Sequence, residues 1–181
     1  MTDTTYIALL RGINVGGHNV KMADLRERFG ELGFDRVRTY IQTGNVFFDS
    51  AETNQQTLRT MIERQLRAAL GYEVATCVRT AEHLEHVLSL DPFNGIPVTP
   101  DVRLAVSFLA EPTAITLPLP HRTPDGAFEL VGMTPTELFV VWHLQDGRPG
   151  KSYSLLEKQV SVPATTRFWH TTAKILAAAK N

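Results

Sequence analysis

The polar and apolar pattern of the first eighty residues predicts six elements in close succession. An apolar run at Tyr6–Leu10, inside a strand expected over Thr5–Arg11, is short enough for a buried strand. Gly12, Gly16 and Gly17 follow, bracketing Ile13, Asn14 and Val15. A helix is predicted over Met22–Leu32, with Met22, Leu25, Phe29 and Leu32 on one face and Gly33 as its stop. Arg36–Gln42 alternates with Val37, Thr39 and Ile41 on one side, as a strand does. Gly44–Asn45 then reads as a two-residue hairpin before a strand at Val46–Asp49. Leu58, Met61, Ile62, Gln65, Leu66 and Ala69 keep helical spacing over Asn54–Leu70, and Glu73–Arg79 reads as a strand. The order β-α-β-β-α-β is that of the ferredoxin-like split unit.

The second half predicts another α+β unit. Thr80 is placed to cap a short helix reaching Leu90. Asp91–Pro100 is a proline-containing loop, Val102–Leu109 alternates as a strand, and Glu111–Pro124 is a proline-rich connection. Ala127–Val131 and Glu137–Leu144 read as paired strands. Two helical segments follow, over Tyr153–Val160 and Thr166–Ala179. The expectation is an α+β protein in which a ferredoxin-like subdomain, 1–80, packs on a second small α+β subdomain, 81–181, in one body.

With 181 residues, 43% apolar and 20% charged, the chain is long enough to bury a real core and has ordinary globular composition. No basic-then-apolar leader and no apolar run of membrane-spanning length is expected. Cys77 is the single cysteine, so no internal disulfide can form, and a cytoplasmic setting is expected. The net charge of −1 is unevenly spread: residues 1–80 carry +1, 81–144 carry −6 and 145–181 carry +4. A basic tail is a weak footprint for a protein that coats nucleic acid, but it leaves room for a local anion site.

The stretches LLRGINVGG, at Leu9–Gly17, and ATTRFWHTTAKIL, at Ala164–Leu176, resemble the bacterial domain-of-unknown-function family 1697. The resemblance covers nearly the whole chain. It implies the same β-α-β-β-α-β first half and carries no activity with it.

Three segments attract chemistry. Glycines allow close backbone approach, and successive N–H groups can cradle an oxyanion. In the loop, Gly12, Gly16 and Gly17 would supply such donors, flanked by Arg11 and Lys21, with Asn14, His18 and Asn19 as short polar groups. GINVGG is neither the dinucleotide fingerprint nor a Walker loop, and asparagines bonding their own backbone would equally explain the turn. GRPGKS, Gly147–Ser152, looks like the end of a phosphate loop, but Gln145 stands where a glycine is needed. Lys151 is better read as one positive contact. In the C-terminal segment, Arg167, His170, Thr171 and Lys174 would share a helix face, with helix-N-terminal N–H groups at Thr166–Phe168 suited to an anion. The resembling family usually reads T-R-N-W-N-T there, so only Arg167 and Trp169 carry over. Phe168, Ile175 and Leu176 are expected in the core.

Other chemistries find less support. An RNA-binding sheet stacks bases on aromatics of strands one and three, where Tyr6 and Phe47 fall. TGNVFFDS matches the strand-three signature only at its glycine and one phenylalanine, so both rings are expected to pack beneath the second subdomain. There is no G-x-S-x-G elbow, and no H-E-x-x-H. His83 and His86 read as an exposed helix face rather than metal ligands, and no carboxylate pair stands out for acid–base work.

The resulting expectation is an anion site of the phosphate or nucleotide type, formed where the Arg11–Lys21 loop meets Lys151 and Arg167. Arg11 and Arg167 would clamp the anion, and Asn14, Gln42 and Asn45 would orient the remainder of the ligand. The rival readings are an enzyme acting on a phosphorylated small molecule or nucleotide, and an interaction module in which the glycine loop is only a turn. Neither a cofactor nor a metal is implied.

Overall fold

The computed structural model describes residues 4–181. The first elements are β1 (Thr4–Leu10), α1 (Met22–Gly30), β2 (Asp35–Tyr40), β3 (Asn45–Ser50), α2 (Gln55–Leu70), β4 (Thr76–Thr80) and α3 (Ala81–Ser89). The four strands form one antiparallel sheet in the order β2-β3-β1-β4. Then come β5 (Val102–Leu109), β6 (His121–Arg122), β7 (Phe128–Met133), β8 (Glu137–His143), α4 (Tyr153–Glu157), β9 (Ala164–Phe168) and α5 (Trp169–Ala179). Their five strands form a second antiparallel sheet, β6-β7-β8-β5-β9. The chain divides into two units: residues up to Leu88 with Lys174–Asn181, and Ser89–Ala173.

In the first unit α1 buries Leu25 and Phe29, and α2 buries Leu58, Ile62 and Leu66, one residue per turn. The Asn54 side chain caps α2 by accepting from the Gln56 and Thr57 N–H groups at 3.0 and 3.1 Å. Thr80 Oγ1 does the same for α3, accepting from His83 N–H at 3.0 Å. Between sheet and helices lies a cluster that includes Tyr6, Leu10, Ile13, Phe29, Phe34, Phe48 and Val78.

Strand register decides which aromatic goes where. Tyr6 pairs with Phe48, and Ile7 pairs with Phe47, so Tyr6 and Phe47 face opposite sides of the sheet. Tyr6 therefore joins the helix-side core, correcting its expected place beneath the second subdomain, and its hydroxyl donates to Glu52 O at 2.9 Å. Phe47 is 1% exposed, with the Arg38 guanidinium 5.4 Å from its ring centre. Arg38 in turn donates to the carbonyls of Ala178 and Ala179 at 2.9 and 3.0 Å. No stacking platform of the RNA-binding kind is left by these two rings.

In the second unit Leu109, Phe128, Leu130, Leu138, Val140 and Leu156 are among the core residues. One expected helix is divided: Ala164–Phe168 is strand β9, antiparallel to β5, and the helix starts only at Trp169. Thr165 and Thr166 are β-branched, and tertiary pairing with β5 wins over helical spacing. Phe168, expected in the core, is 36% exposed, lying edge-on to Trp142 and stacked with His170, whereas Ile175 and Leu176 are buried.

Candidate functional site

The segment between β1 and α1 is held at both ends and in its middle. Leu10 N–H donates to Gly44 O at 2.8 Å, and Arg11 N–H to Ala75 O at 2.9 Å. Ile13 is 2% exposed, pinning the loop to the core from inside. Asn14 takes a left-handed φ of 57° and uses its carboxamide twice: Nδ2 donates to Gln42 O at 2.8 Å and Oδ1 accepts from Val20 N–H at 2.7 Å. Asn14 thus ties the glycine loop to the turn between β2 and β3. That turn spans four residues, 41–44, with Tyr40 paired to Asn45, rather than the expected two. Further along the loop, the His18 ring lies 3.9 Å from the Tyr72 ring, centre to centre.

Beside the tie lies a surface depression of about 550 Å³ lined by Asn14, Asn19, Val20, Lys21, Met22, Asp24 and Gln42. The first turn of α1 forms one wall; Lys21 is its N-cap residue, and no side chain caps that helix. The side chains of Asn19, Lys21, Asp24 and Gln42 make no hydrogen bond or ion pair to any described residue. One ammonium, one carboxylate and two carboxamides are therefore available to a ligand there.

The expected site residues fall into separate groups. Asn14, Lys21 and Gln42 meet at the depression. Gly12, Gly16 and Gly17 have φ of 75°, 60° and 89° and line none of it; exposed Arg11 does not line it either. Asn45 is fully buried, and its Nδ2 donates to Tyr40 O and Thr43 Oγ1 at 3.1 and 3.0 Å, so it holds the turn. Lys151 and Arg167 belong to the second unit. Arg167 lies on β9, 9% exposed, donating to Thr165 Oγ1 and Thr166 O at 2.9 Å each. The N–H groups of Thr166–Phe168 belong to a strand, which corrects the helix-N-terminal anion contact expected of them. Asp49, 5% exposed, accepts from Thr5 Oγ1 at 2.7 Å and pairs with Arg36. Among the described residues no three His, Cys, Asp or Glu side chains cluster as a metal site would require. Asp24 carried no motif in the sequence; only its place in the first turn of a predicted helix beside Lys21 could have marked it.

In the second unit the GRPGKS loop is bound to its own scaffold. Asp125 Oδ1 accepts from Ser152 Oγ at 2.5 Å, Thr123 Oγ1 at 2.7 Å and Ala127 N–H at 3.1 Å. Gln145 Nε2 donates to Asp125 O at 3.0 Å. The Ser152 hydrogen bond, then those of Thr123 and Ala127, hold the Asp125 carboxyl below its ordinary range. A lowered carboxylate pKa stabilises the fold above the unfolded value, near 3.9, and that contribution is lost as pH falls through the lowered one. Asp125→Asn is therefore expected to be less stable than wild type at pH 7 and to show a shallower loss below about pH 4. Urea midpoints measured from pH 7 to 2.5 check this; parallel pH curves for the two proteins refute it.

Three hydroxyls that carried no sequence signal also meet in this unit. Thr166 Oγ1 lies 2.7 Å from Ser107 Oγ and 2.8 Å from Tyr153 OH, and Ser107 and Tyr153 bond each other. The ring joins β5, β9 and α4.

A family model described as a protein of unknown function, DUF1697, matches residues 3–132. The fold is similar to that of a conserved bacterial protein from Streptococcus pneumoniae, with a TM-score of 0.69 and 24% identity over 98% of this chain and 99% of that one. At that identity the likeness concerns the fold alone. No curated protein matches the chain. No helix among the described residues is long and apolar enough to cross a membrane.

Proposed function

The chain belongs to the DUF1697 family, and on that premise, which brings no activity with it, we propose that it binds a small anionic molecule of the phosphate-bearing class at the depression beside the 11–21 loop. One observation carries the reading: Asn19, Lys21, Asp24 and Gln42 border a ligand-sized space, and their side chains make no hydrogen bond or ion pair among the described residues. The uncapped first turn of α1 directs backbone N–H groups and a partial positive charge to the same wall as Lys21. Lys151 and Arg167 are not needed for this reading. The antiparallel order β2-β3-β1-β4 supports reading the first unit as ferredoxin-like. One cysteine, buried in β4, supports a reducing, cytoplasmic setting.

Thermal shift tests the proposal, using inorganic phosphate, phosphosugars and nucleotides against wild type, Lys21→Ala and Arg11→Ala. A ligand at one hundred times its Kd adds about 2.7 kcal/mol to the native state. For a chain of this size that raises Tm by roughly 5–10 °C. Lys21→Ala is expected to fold normally and lose most of the shift, and Arg11→Ala reports whether the exposed guanidinium reaches the ligand. No dose-dependent shift from any anion in folded wild type overturns the reading.

A further inference from the structure

Residues 15–19, the outer part of the glycine loop, are all exposed, whereas Ile13 before them and Val20 after them pack on the core. One side chain closes this lobe at its base: Asn14 Oδ1 accepts from Val20 N–H at 2.7 Å. Within the lobe, His18 N–H donates to Val15 O at 3.2 Å. A Cβ built on Gly16 or Gly17 would meet nothing within 4 Å, so the tip rests on no neighbour there. Above its base the lobe has a single side-chain hold of ring, hydrogen-bond or ion-pair kind among the described residues. The His18 ring lies 3.9 Å from the Tyr72 ring, at a tilt of 32°. Tyr72 is a firm post: it follows Gly71, the C-cap of α2, and is partly buried against the core cluster. Its hydroxyl is buried and has no hydrogen-bond partner among the described residues.

We propose that residues 15–19 are a strap with two positions, latched when His18 lies on Tyr72 and lifted when it does not. The strap runs into Asn19, Val20 and Lys21, which line the depression, so lifting widens that end of it. Gly16 and Gly17 absorb the backbone change, since glycine takes either sign of φ without a Cβ clash. The latch is weak. A single aromatic contact holds it, and the latched state leaves the Tyr72 hydroxyl without the hydrogen bond that water would give. An element held so lightly opens locally without unfolding the domain. This motion belongs to the free protein, whatever the depression binds.

Amide hydrogen exchange, followed by NMR on the full chain without ligand, tests the strap at three positions. Val20 N–H reports its base and His18 N–H its inside. Arg11 N–H, bonded to Ala75 O at 2.9 Å, reports the fixed ground below. His18→Ala removes an exposed side chain, so Tm is expected to stay within about 2 °C of wild type. Exchange at Val20 and His18 is expected to quicken about two- to tenfold, the worth of one aromatic pair, with Arg11 unchanged. Tyr72→Phe keeps the ring and removes only the unpartnered hydroxyl, so its exchange is expected to be no faster than wild type. Unchanged exchange at Val20 in folded His18→Ala overturns the strap. So does a rise shared equally by Arg11, which would mean that the whole segment had loosened. Faster exchange in Tyr72→Phe overturns the latch, because the ring contact would then not be what holds His18.

Discussion

Replacing Phe48 with alanine is expected to cost about 3–5 kcal/mol, the usual range for deleting a buried aromatic ring. Phe48 is wholly buried on β3 and touches aromatic rings from three directions. Tyr6, its cross-strand partner, stacks at 5.6 Å, Phe34 stacks at 4.3 Å, and Phe29 of α1 tilts against it at 5.7 Å. Removal leaves a cavity that β1, β3 and α1 cannot close together, because each is held by its own backbone ladder or turn. Aromatic pairing beyond area burial adds to the loss. Urea unfolding checks this as a lower midpoint at unchanged slope. A domain of ordinary stability would be left marginal. Phe48→Leu, which leaves a smaller void, should cost roughly half as much or less. An alanine variant within about 1 kcal/mol of wild type would refute the packing described.

Gly44→Ala is expected to cost about 2–5 kcal/mol and to remove ligand binding with it. Gly44 is buried, with a φ of 79°, where a Cβ brings roughly 1–2 kcal/mol of strain. The added carbon would lie 2.9 Å from Leu10 Cβ and 3.1 Å from Ile13 Cβ, both in the core. Overpacking of that kind typically costs a further ~1–3 kcal/mol. Yielding would move Ile13 and loosen the hydrogen bond from Leu10 N–H to Gly44 O, so the 11–21 segment would shift against the turn that carries Gln42. Gly33→Ala is the internal control. Its φ is 80°, but nothing lies within 4 Å of the added carbon, so only the strain is felt. Equal losses at positions 33 and 44, measured by urea unfolding, would show that the contacts with Leu10 and Ile13 do not matter.

Much of the fold was legible along the chain. The strand at Val102–Leu109 and the helix starts at Met22 and after Thr80 lie where pattern and caps place them. The α2 stripe of Leu58, Ile62 and Leu66 is buried as its spacing requires. These elements were readable because their signals are local: period, cap and turn residue all act within a few positions. Ala164–Phe168 was not readable, since two threonines and an arginine before a helix take strand form only because β5 offers an edge.

The amino-acid sequence by itself determined the α+β class, the β-α-β-β-α-β order of the first half, the family, and a glycine loop between the first strand and the first helix. Tertiary structure alone decided which residues of that loop face outward. Register sent Tyr6 and Phe47 to opposite faces of one sheet. The turn at 41–44 drew Asn14 and Asn45 into backbone hydrogen bonds, whereas the exposed side chains of Asn19, Lys21, Asp24 and Gln42 make none among the described residues. A side chain's freedom depends on what residues distant in the chain already offer it. Asn14 and Asn45 look alike in sequence to Asn19, and only long-range pairing tells a staple from a group still open to a ligand.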